Sequence, residues 1–368
     1  MASFGHGGNA KIISREKNID FKEIIDFSAN INPLGIPESV RSAIIENIGL
    51  IEKYPDISYY ELKECISKFE DIKKENILLG NGAAEVLFSI VRAINPKKSL
   101  IMAPTFSEYE EAVNSVGGSI RYYYLKEEYE FKIQYDVLEC IDDDLDLIFI
   151  CNPNNPTGVL ADKEMLLKIL IKAKEHNVKL LIDESFLDFI EEKLTMANYI
   201  NEYDNLIIVK SLTKFFALPG LRIGYALTGD KILKGKSQEV TPAWNINILA
   251  EIATKNALKD TRYIRNTKEF IDEEKDYLYE ELTKIKELKV FMPSVNFIFI
   301  KVKVKGDLDL KEELLKFKIL IRSCSNYNGL NSKYYRVAVR THEENIKLIK
   351  SLQEILTKHY FYKSQGLF

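Results

Sequence analysis

The chain has 368 residues, 51 Lys+Arg against 55 Asp+Glu, a formal net charge of −4 and 46% hydrophobic residues. That balance excludes disordered and collagen-like chains and argues against a basic nucleic-acid surface. No apolar run reaches the ~20 residues of a membrane helix, and the start Met1-Ala2-Ser3-Phe4-Gly5-His6 lacks a basic-then-apolar signal pattern, so the expected setting is cytoplasmic, away from membranes and nucleic acid. Four cysteines (Cys65, Cys140, Cys151, Cys324) and four histidines (His6, His176, His342, His359) are scattered without ligand spacing, so neither a metal nor a disulfide is expected.

The opening segment, rich in Gly and Asn, holds Ile24-Ile25-Asp26-Phe27 and then Asn30-Ile31-Asn32-Pro33-Leu34-Gly35. It is dense in turn residues, predicts no helix or strand beyond a few residues, and reads as an arm over residues 1–40. From Asn76 onward short apolar runs alternate with amphipathic stretches: Ile77 to Leu79 then Val86 to Ile94, Ser99 to Ala103 then Glu108 to Val116, Leu145 to Cys151 then Lys163 to His176. The runs Val178 to Ile182, Leu206 to Val209 and Ile223 to Leu227 follow. Such alternation predicts an α/β fold with a mostly parallel sheet covered by helices, here a large domain over 41–255. Ile246 to Ile285 is helical and highly charged, enough for one or two linking helices. Beyond it, strand-like Lys289 to Phe291, Phe297 to Val304, Ile319 to Arg322 and Tyr334 to Val339 mix with helical Leu310 to Phe317 and Glu343 to Lys358. This is a smaller C-terminal α+β domain over 256–368, against which the arm is expected to pack.

In an open parallel sheet, ligands sit at the carboxyl ends of the strands, so polar residues just after apolar runs deserve weight. Four runs end unusually: in Gly80-Asn81-Gly82-Ala83-Ala84-Glu85, in Asn152-Pro153-Asn154-Asn155-Pro156-Thr157-Gly158, in Asp183-Glu184, and in Lys210-Ser211-Leu212-Thr213-Lys214. Singly these are turns, a helix cap and a solvated lysine. Together, a carboxylate, a lysine and a glycine turn, with Ser211, Thr213 and Arg222, describe a site for a phosphorylated cationic ring bound through an amine. Pyridoxal 5′-phosphate needs each part: a lysine for its aldehyde, an acid for its ring nitrogen, and amides, hydroxyls and an arginine for its phosphate.

Asn155-Pro156-Thr157-Gly158, Asp183-Glu184, Ser211-Leu212-Thr213-Lys214-Phe215 and Gly220-Leu221-Arg222-Ile223-Gly224-Tyr225 resemble the fold-type I pyridoxal-phosphate enzymes. Within that superfamily they look like histidinol-phosphate aminotransferases and the threonine-phosphate decarboxylases of cobalamin synthesis. The resemblance implies that Lys214 bonds covalently to the cofactor, Asp183 pairs with its ring nitrogen, Asn155 meets the ring hydroxyl and Tyr109 stacks on the ring. Gly82, Ala83, Ala84, Ser211, Thr213 and Arg222 would hold the phosphate at a helix start. Tyr54, in Tyr54-Pro55-Asp56, would reach the phosphate of a neighbouring subunit, implying a homodimer with shared active sites. One position departs from the aminotransferase pattern: Phe186 stands where a tyrosine usually contacts the ring oxygen.

Two segments separate the relatives. His6-Gly7-Gly8-Asn9, followed by Asp26 to Gly35, looks decarboxylase-like and would bring His6 and Asn32 to a substrate phosphate. Arg322, Arg336 and Arg340, in Ile321-Arg322-Ser323 and Tyr335-Arg336-Val337-Ala338-Val339-Arg340, would bind substrate anions, with Arg322 and Arg336 on the carboxylate; bidentate arginine suits both carboxylate and phosphate. The expected activity is therefore decarboxylation of an amino-acid O-phosphate, threonine phosphate or serine phosphate, to an amino-alcohol phosphate. A histidinol-phosphate aminotransferase and a non-catalytic cofactor-sensing domain are the alternatives. The first would need a keto acid and release no carbon dioxide; the second would turn over neither substrate.

Overall fold

The computed structural model describes residues 7–190, 194–304, 306 and 308–364. Its centre is a seven-stranded sheet of β1 (Ile77–Gly80), β2 (Lys98–Ala103), β3 (Ser119–Tyr124), β4 (Leu147–Cys151), β5 (Lys179–Asp183), β6 (Leu206–Ser211) and β7 (Gly224–Thr228). The spatial order is β1-β7-β6-β5-β4-β2-β3, and β7 alone runs antiparallel to its neighbours. The expected α/β fold with a mostly parallel sheet is thus observed.

Strands β4 and β6 are buried along their whole length and β5 from Leu180 onward, which is why they read as unbroken apolar runs rather than alternating ones. Alternate side chains still serve two different cores. Leu147, Phe149, Leu181, Ile207 and Val209 pack under the helices Ala83–Ile94 and Glu108–Ser115, through Leu87, Ile90, Ala112 and Val113. Ile148, Ile150, Leu180, Ile182, Leu206 and Ile208 face the other way, onto Met165, Leu166, Ile169 and Leu170 of the helix Lys163–Glu175.

The linking region forms two helices, Ile248–Ala257 and Thr261–Thr283, with Asn247 and Asp260 as side-chain N-caps. A second, antiparallel sheet follows, built of β8 (Leu288–Val290), β9 (Phe297–Val302), β10 (Arg322–Ser323) and β11 (Tyr334–Ala338) in the order β10-β11-β9-β8. The arm differs from its expectation. It contains a helix, Ala10–Lys17, whose Ala10 and Ile13 lie one turn apart and dock on Leu315 and Leu320. A short stretch, Ile25–Asp26, then pairs in parallel with Ile319–Leu320, and the Ala338 amide donates to the Phe27 carbonyl at 2.9 Å. No described helix is long and apolar enough to cross a membrane, and no described cluster of three His, Cys, Asp or Glu is arranged to hold a metal.

Candidate active site

A cavity of about 440 Å³ opens at the carboxyl ends of β5 and β6, on the side of the sheet covered by the helix Ala83–Ile94. That helix enters from β1 through a glycine turn. Gly82 is its N-cap with φ +87°, no side chain caps it, and Ala83 and Ala84 line the cavity with first-turn amides directed at the ligand space. A Cβ on Gly82 would sit 2.3 Å from Arg222 Nη2, and one on Gly224 would sit 2.4 Å from the Ala83 nitrogen, so glycine is required at both places for the backbone and guanidinium to converge. Ser211 and Thr213 complete this wall, their hydroxyls 2.8 Å apart. The predicted phosphate residues are brought together.

At the opposite end Asp183 is buried. It accepts from the Ser185 amide at 2.9 Å and from Tyr109 Oη at 2.7 Å. Burial pushes its carboxyl above the usual carboxylate range, and these two donors with Lys214 pull it back. Tyr109 therefore departs from the stacking role expected of it. Its side chain is fully buried, stacked on Phe149 at 5.3 Å, and it does not line the cavity itself but backs residues that do, Asp183 and Phe106. The helix Glu108–Ser115 starts between the two aromatic residues and turns Tyr109 into the sheet, which leaves Phe106 as the ring that lines the cavity. Phe186 also lines it, edge-on to Phe297 at 5.1 Å, and brings no hydroxyl.

Lys214 sits in the one-turn helix Leu212–Phe215 that follows β6. Burial first, then the guanidinium groups of Arg336 and Arg222, push its amine from 10.5 down to about 8, with Asp183 opposing. Only a neutral amine attacks an aldehyde, so covalent uptake of pyridoxal phosphate by the cofactor-free protein should speed up with rising pH through a midpoint of about 8. The absorbance of the new bond reads this directly. Arg336→Gln should move the midpoint upward, and an ordinary lysine midpoint of 10.5 in the parent would show that Lys214 lies elsewhere.

Arg336, on β11, lines the cavity and is 5% exposed. It donates to Asn155 Oδ1 and, at 2.8 Å, to the Ser28 carbonyl, while its Nε has no partner among the described residues. No described carboxylate pairs with it, and burial pulls its pKa down. Asn155 also accepts from Tyr327 Oη at 3.3 Å, so its carbonyl is engaged by the protein and its NH₂ is the group left to donate. Arg322 stands one residue layer back, its guanidinium 5.1 Å from the Tyr327 ring and 2.8 Å from Asn326 Oδ1. Arg340, expected to bind substrate, is not among the residues that line the cavity. It makes a two-pronged pair with Glu344 at 3.0 Å on each prong and donates to the Asp26 carbonyl at 3.2 Å, so three of its five donors are engaged inside the fold.

The arm closes one wall through Gly7, Gly8, Ser28, Ala29, Asn30 and Ile31. Asn32, expected there, points away. Its NH₂ donates to the Phe215 carbonyl, Tyr263 Oη and Thr267 Oγ1 at 2.8–2.9 Å, and its side-chain oxygen accepts from the Leu34 amide at 3.0 Å. Those partners belong to the segment after Lys214 and to a linking helix, so Asn32 fastens the arm to the large domain. The cavity residue is Asn30, 2% exposed, with neither amide atom partnered among the described residues. Nothing in the sequence pattern distinguishes the two asparagines. His6 lies outside the described residues. Tyr54 is not in the cavity of its own chain; it is 81% exposed beside Trp244, with ring centroids 5.0 Å apart.

The site thus offers one amine of lowered pKa, a buried carboxyl, a cradle with no room for a Cβ, and an orphaned amide beside an unpaired arginine. This donor set fits pyridoxal 5′-phosphate: Lys214 for the aldehyde, Asp183 for the ring nitrogen, Asn155 for the ring hydroxyl, Phe106 for the ring face, and Ala83, Ala84, Ser211, Thr213 and Arg222 for the phosphate. Residues 22–352 match the protein family described as aminotransferase class I and II. The chain is 36% identical over 359 residues to the threonine-phosphate decarboxylase of Salmonella typhimurium, covering 97% of this chain and 98% of that protein. It is 39% identical over 356 residues to an adenosylcobalamin biosynthesis bifunctional protein of Leptospira interrogans, covering 95% of this chain and 41% of that one. The crystal structure of the histidinol-phosphate aminotransferase from Clostridium acetobutylicum superposes with a TM-score of 0.85 at 36% identity, over 90% of this chain and 99% of that chain.

Proposed function

The chain belongs to the class I and II aminotransferase family, and on that premise we propose that it uses pyridoxal 5′-phosphate to decarboxylate an amino-acid O-phosphate, threonine phosphate or serine phosphate, in cobamide synthesis, acting as a cytoplasmic homodimer. The observation that carries this reading is Arg336, a buried guanidinium without a carboxylate, set against an arm wall that holds the unpartnered Asn30 amide. A buried cation is costly unless an anion meets it. A substrate with a carboxylate at one end and a phosphate at the other satisfies both groups at once. The match to threonine-phosphate decarboxylase runs over 97% of the chain and so includes the arm.

When bound, pyridoxal phosphate supplies an electron sink for the Cα bond that stands across its ring plane. The protein's own residues select that bond. Arg336 grips the carboxylate with a planar fork, which fixes its direction as well as its position. Asn30 and the Gly7-Gly8 backbone receive the substrate phosphate. Asp183, held by Tyr109 and Ser185, would pair with the ring nitrogen. Lys214, with its lowered pKa, is the group able to return a proton to Cα near neutral pH. Phe106, Phe186, Tyr327 and Ile31 keep water from the reacting carbon.

The shared-site dimer rests on Tyr54 and its surroundings. Ile48, Ile51, Ile57 and Trp244 are exposed beside it, an apolar set whose solvent contact a second copy of the chain would remove.

The test incubates the purified protein and pyridoxal phosphate with threonine phosphate or serine phosphate, without a keto acid, and measures released carbon dioxide. Decarboxylation of one or both is expected. One methyl in a pocket is worth ~1–3 kcal/mol, so a preference of roughly 10- to 200-fold between them is anticipated. Turnover of histidinol phosphate only with 2-oxoglutarate, and no carbon dioxide from either phospho-amino acid, would establish the aminotransferase instead.

A further inference from the structure

On the opposite face of the large sheet lies a second group of buried ionisable side chains that the proposed chemistry does not use. Asp183 and Ser211 look into the cavity, and their chain neighbours Glu184 and Lys210 look the other way, as strand alternation requires. Lys210 Nζ lies 3.0 Å from Asp188 Oδ1, 3.3 Å from Glu70 Oε1 and 3.8 Å from Glu184 Oε2, with its side chain 5% exposed. Glu184 also accepts from Thr195 Oγ1 at 2.6 Å and from the Met196 amide at 2.8 Å. Tyr225, opposite Lys210 in the β6–β7 register, donates to Glu70. One buried cation thus joins the end of the helix Tyr60–Glu70, the residue after β5, the short turn Leu187–Phe189 and, through Glu70, strand β7.

Stability does not explain this arrangement. Apolar side chains of similar volume would serve a core as well or better, because each buried charge forfeits its hydration. The three carboxylates keep Lys210 charged, while burial lifts Glu184 to about 7 against the pull of Lys210. What a multidentate centre adds is a fixed relation among the elements that meet on it. Two of the residues it ties stand next to cavity residues, Glu184 after Asp183 and Lys210 before Ser211, and Tyr225 follows Gly224, which packs against the Ala83 backbone.

We propose that Lys210 is a positioning residue, which holds the ends of β5, β6 and β7 so that Asp183, Ser211, Thr213 and Lys214 stand at the spacing one cofactor molecule requires. The inference rests on the cofactor-binding reading above. Its test compares the full-length parent with Lys210→Arg and with a neutral set that combines Lys210→Met, Glu70→Gln, Glu184→Gln and Asp188→Asn. The neutral set removes the cation and the carboxylates together, so no buried charge is stranded. Pyridoxal phosphate is the probe. Its dissociation constant and the pH titration of the absorbance of its lysine-bound form are the readouts, with thermal unfolding of the cofactor-free proteins alongside.

Lys210→Arg should retain affinity within about twofold, since it keeps a buried cation with several donors. The neutral set should unfold no earlier than the parent, yet bind the cofactor roughly 10- to 100-fold more weakly with a displaced titration, the scale of loss that a small misplacement of binding groups produces. Parent-like affinity and titration in the neutral set would overturn the proposal. So would a neutral set that no longer folds, because the cluster would then act through stability. A parent that does not bind pyridoxal phosphate would overturn the cofactor reading itself.

Discussion

Lys214→Ala is expected to lower turnover by at least ~10⁴-fold, the upper range for a positioned proton-transfer group, while the protein still takes up pyridoxal phosphate without a covalent bond. Lys214 is the one amine among the described residues that line the cavity, and no other side chain there can replace it. The fold should tolerate the change. The contact that ties this turn to the arm runs from the Asn32 amide to the Lys214 carbonyl at 3.1 Å, a main-chain bond that alanine keeps, and alanine is the best helix former. Equilibrium dialysis should therefore find cofactor bound with no absorbance of a lysine adduct. Mixing this variant with Tyr54→Ala should restore about a quarter of the parent activity after subunit exchange, since half of random dimers are hybrids and each hybrid has one intact site. Measurable turnover by Lys214→Ala alone would remove Lys214 from the chemistry, and no recovery after demonstrated exchange would remove Tyr54 from a shared site.

Arg336→Ala should lower kcat/KM for the phospho-amino acid by roughly 30- to several thousand-fold, the cost of truncating one partner of a buried charged contact. Retention of pyridoxal phosphate should change far less, because on the proposed reading its phosphate would be met by a different wall of the cavity. Arg336→Lys should recover part of the loss only: a point charge can attract a carboxylate without fixing its plane. Some structural cost is expected too, since the Ser28 carbonyl loses a donor; thermal unfolding separates it from the kinetic effect. Equal losses with alanine and lysine, or an effect confined to cofactor retention, would show that Arg336 does not orient a carboxylate.

The outline of the large sheet and the gathering of polar residues at its strand ends were legible because both follow from local rules. Buried parallel strands are continuous apolar runs, and ligand groups come directly after them; this located Asp183, Ser211, Thr213, Lys214 and the Gly82 turn. The substrate wall was less legible because its residues come from irregular chain. Asn30 and Asn32 are two positions apart in a segment with no regular period, and only the tertiary contacts to Phe215, Tyr263 and Thr267 decide which one faces inward. Phe106 and Tyr109 are three apart at a loop-to-helix junction, so a small difference in where the helix begins exchanges their roles. Arg340 did carry a readable signal. Thr341 and Glu344 form a capping box at the start of the helix His342–Ser364, with the Thr341 amide 3.3 Å from Glu344 Oε2, and a glutamate four residues after an arginine is a natural partner for it.

The pairing of Ile25–Asp26 with Ile319–Leu320 has a mechanical consequence. The arm's backbone is fastened to the smaller domain through that ladder, the Asp26 carbonyl under Arg340, the Phe27 carbonyl under the Ala338 amide, and the Asn30 carbonyl, which accepts from Asn296 Nδ2 at 3.1 Å. Ser28 adds another through Arg336 itself. Asn30 and Arg336, which come from chain positions some three hundred residues apart, are thereby held in one fixed frame. Asn32 and Asn155 tie the same two groups to the large domain as well, so the distance between Asn30 and Arg336 is set by the fold before any ligand arrives, and on the proposed reading it acts as a ruler for the substrate's length.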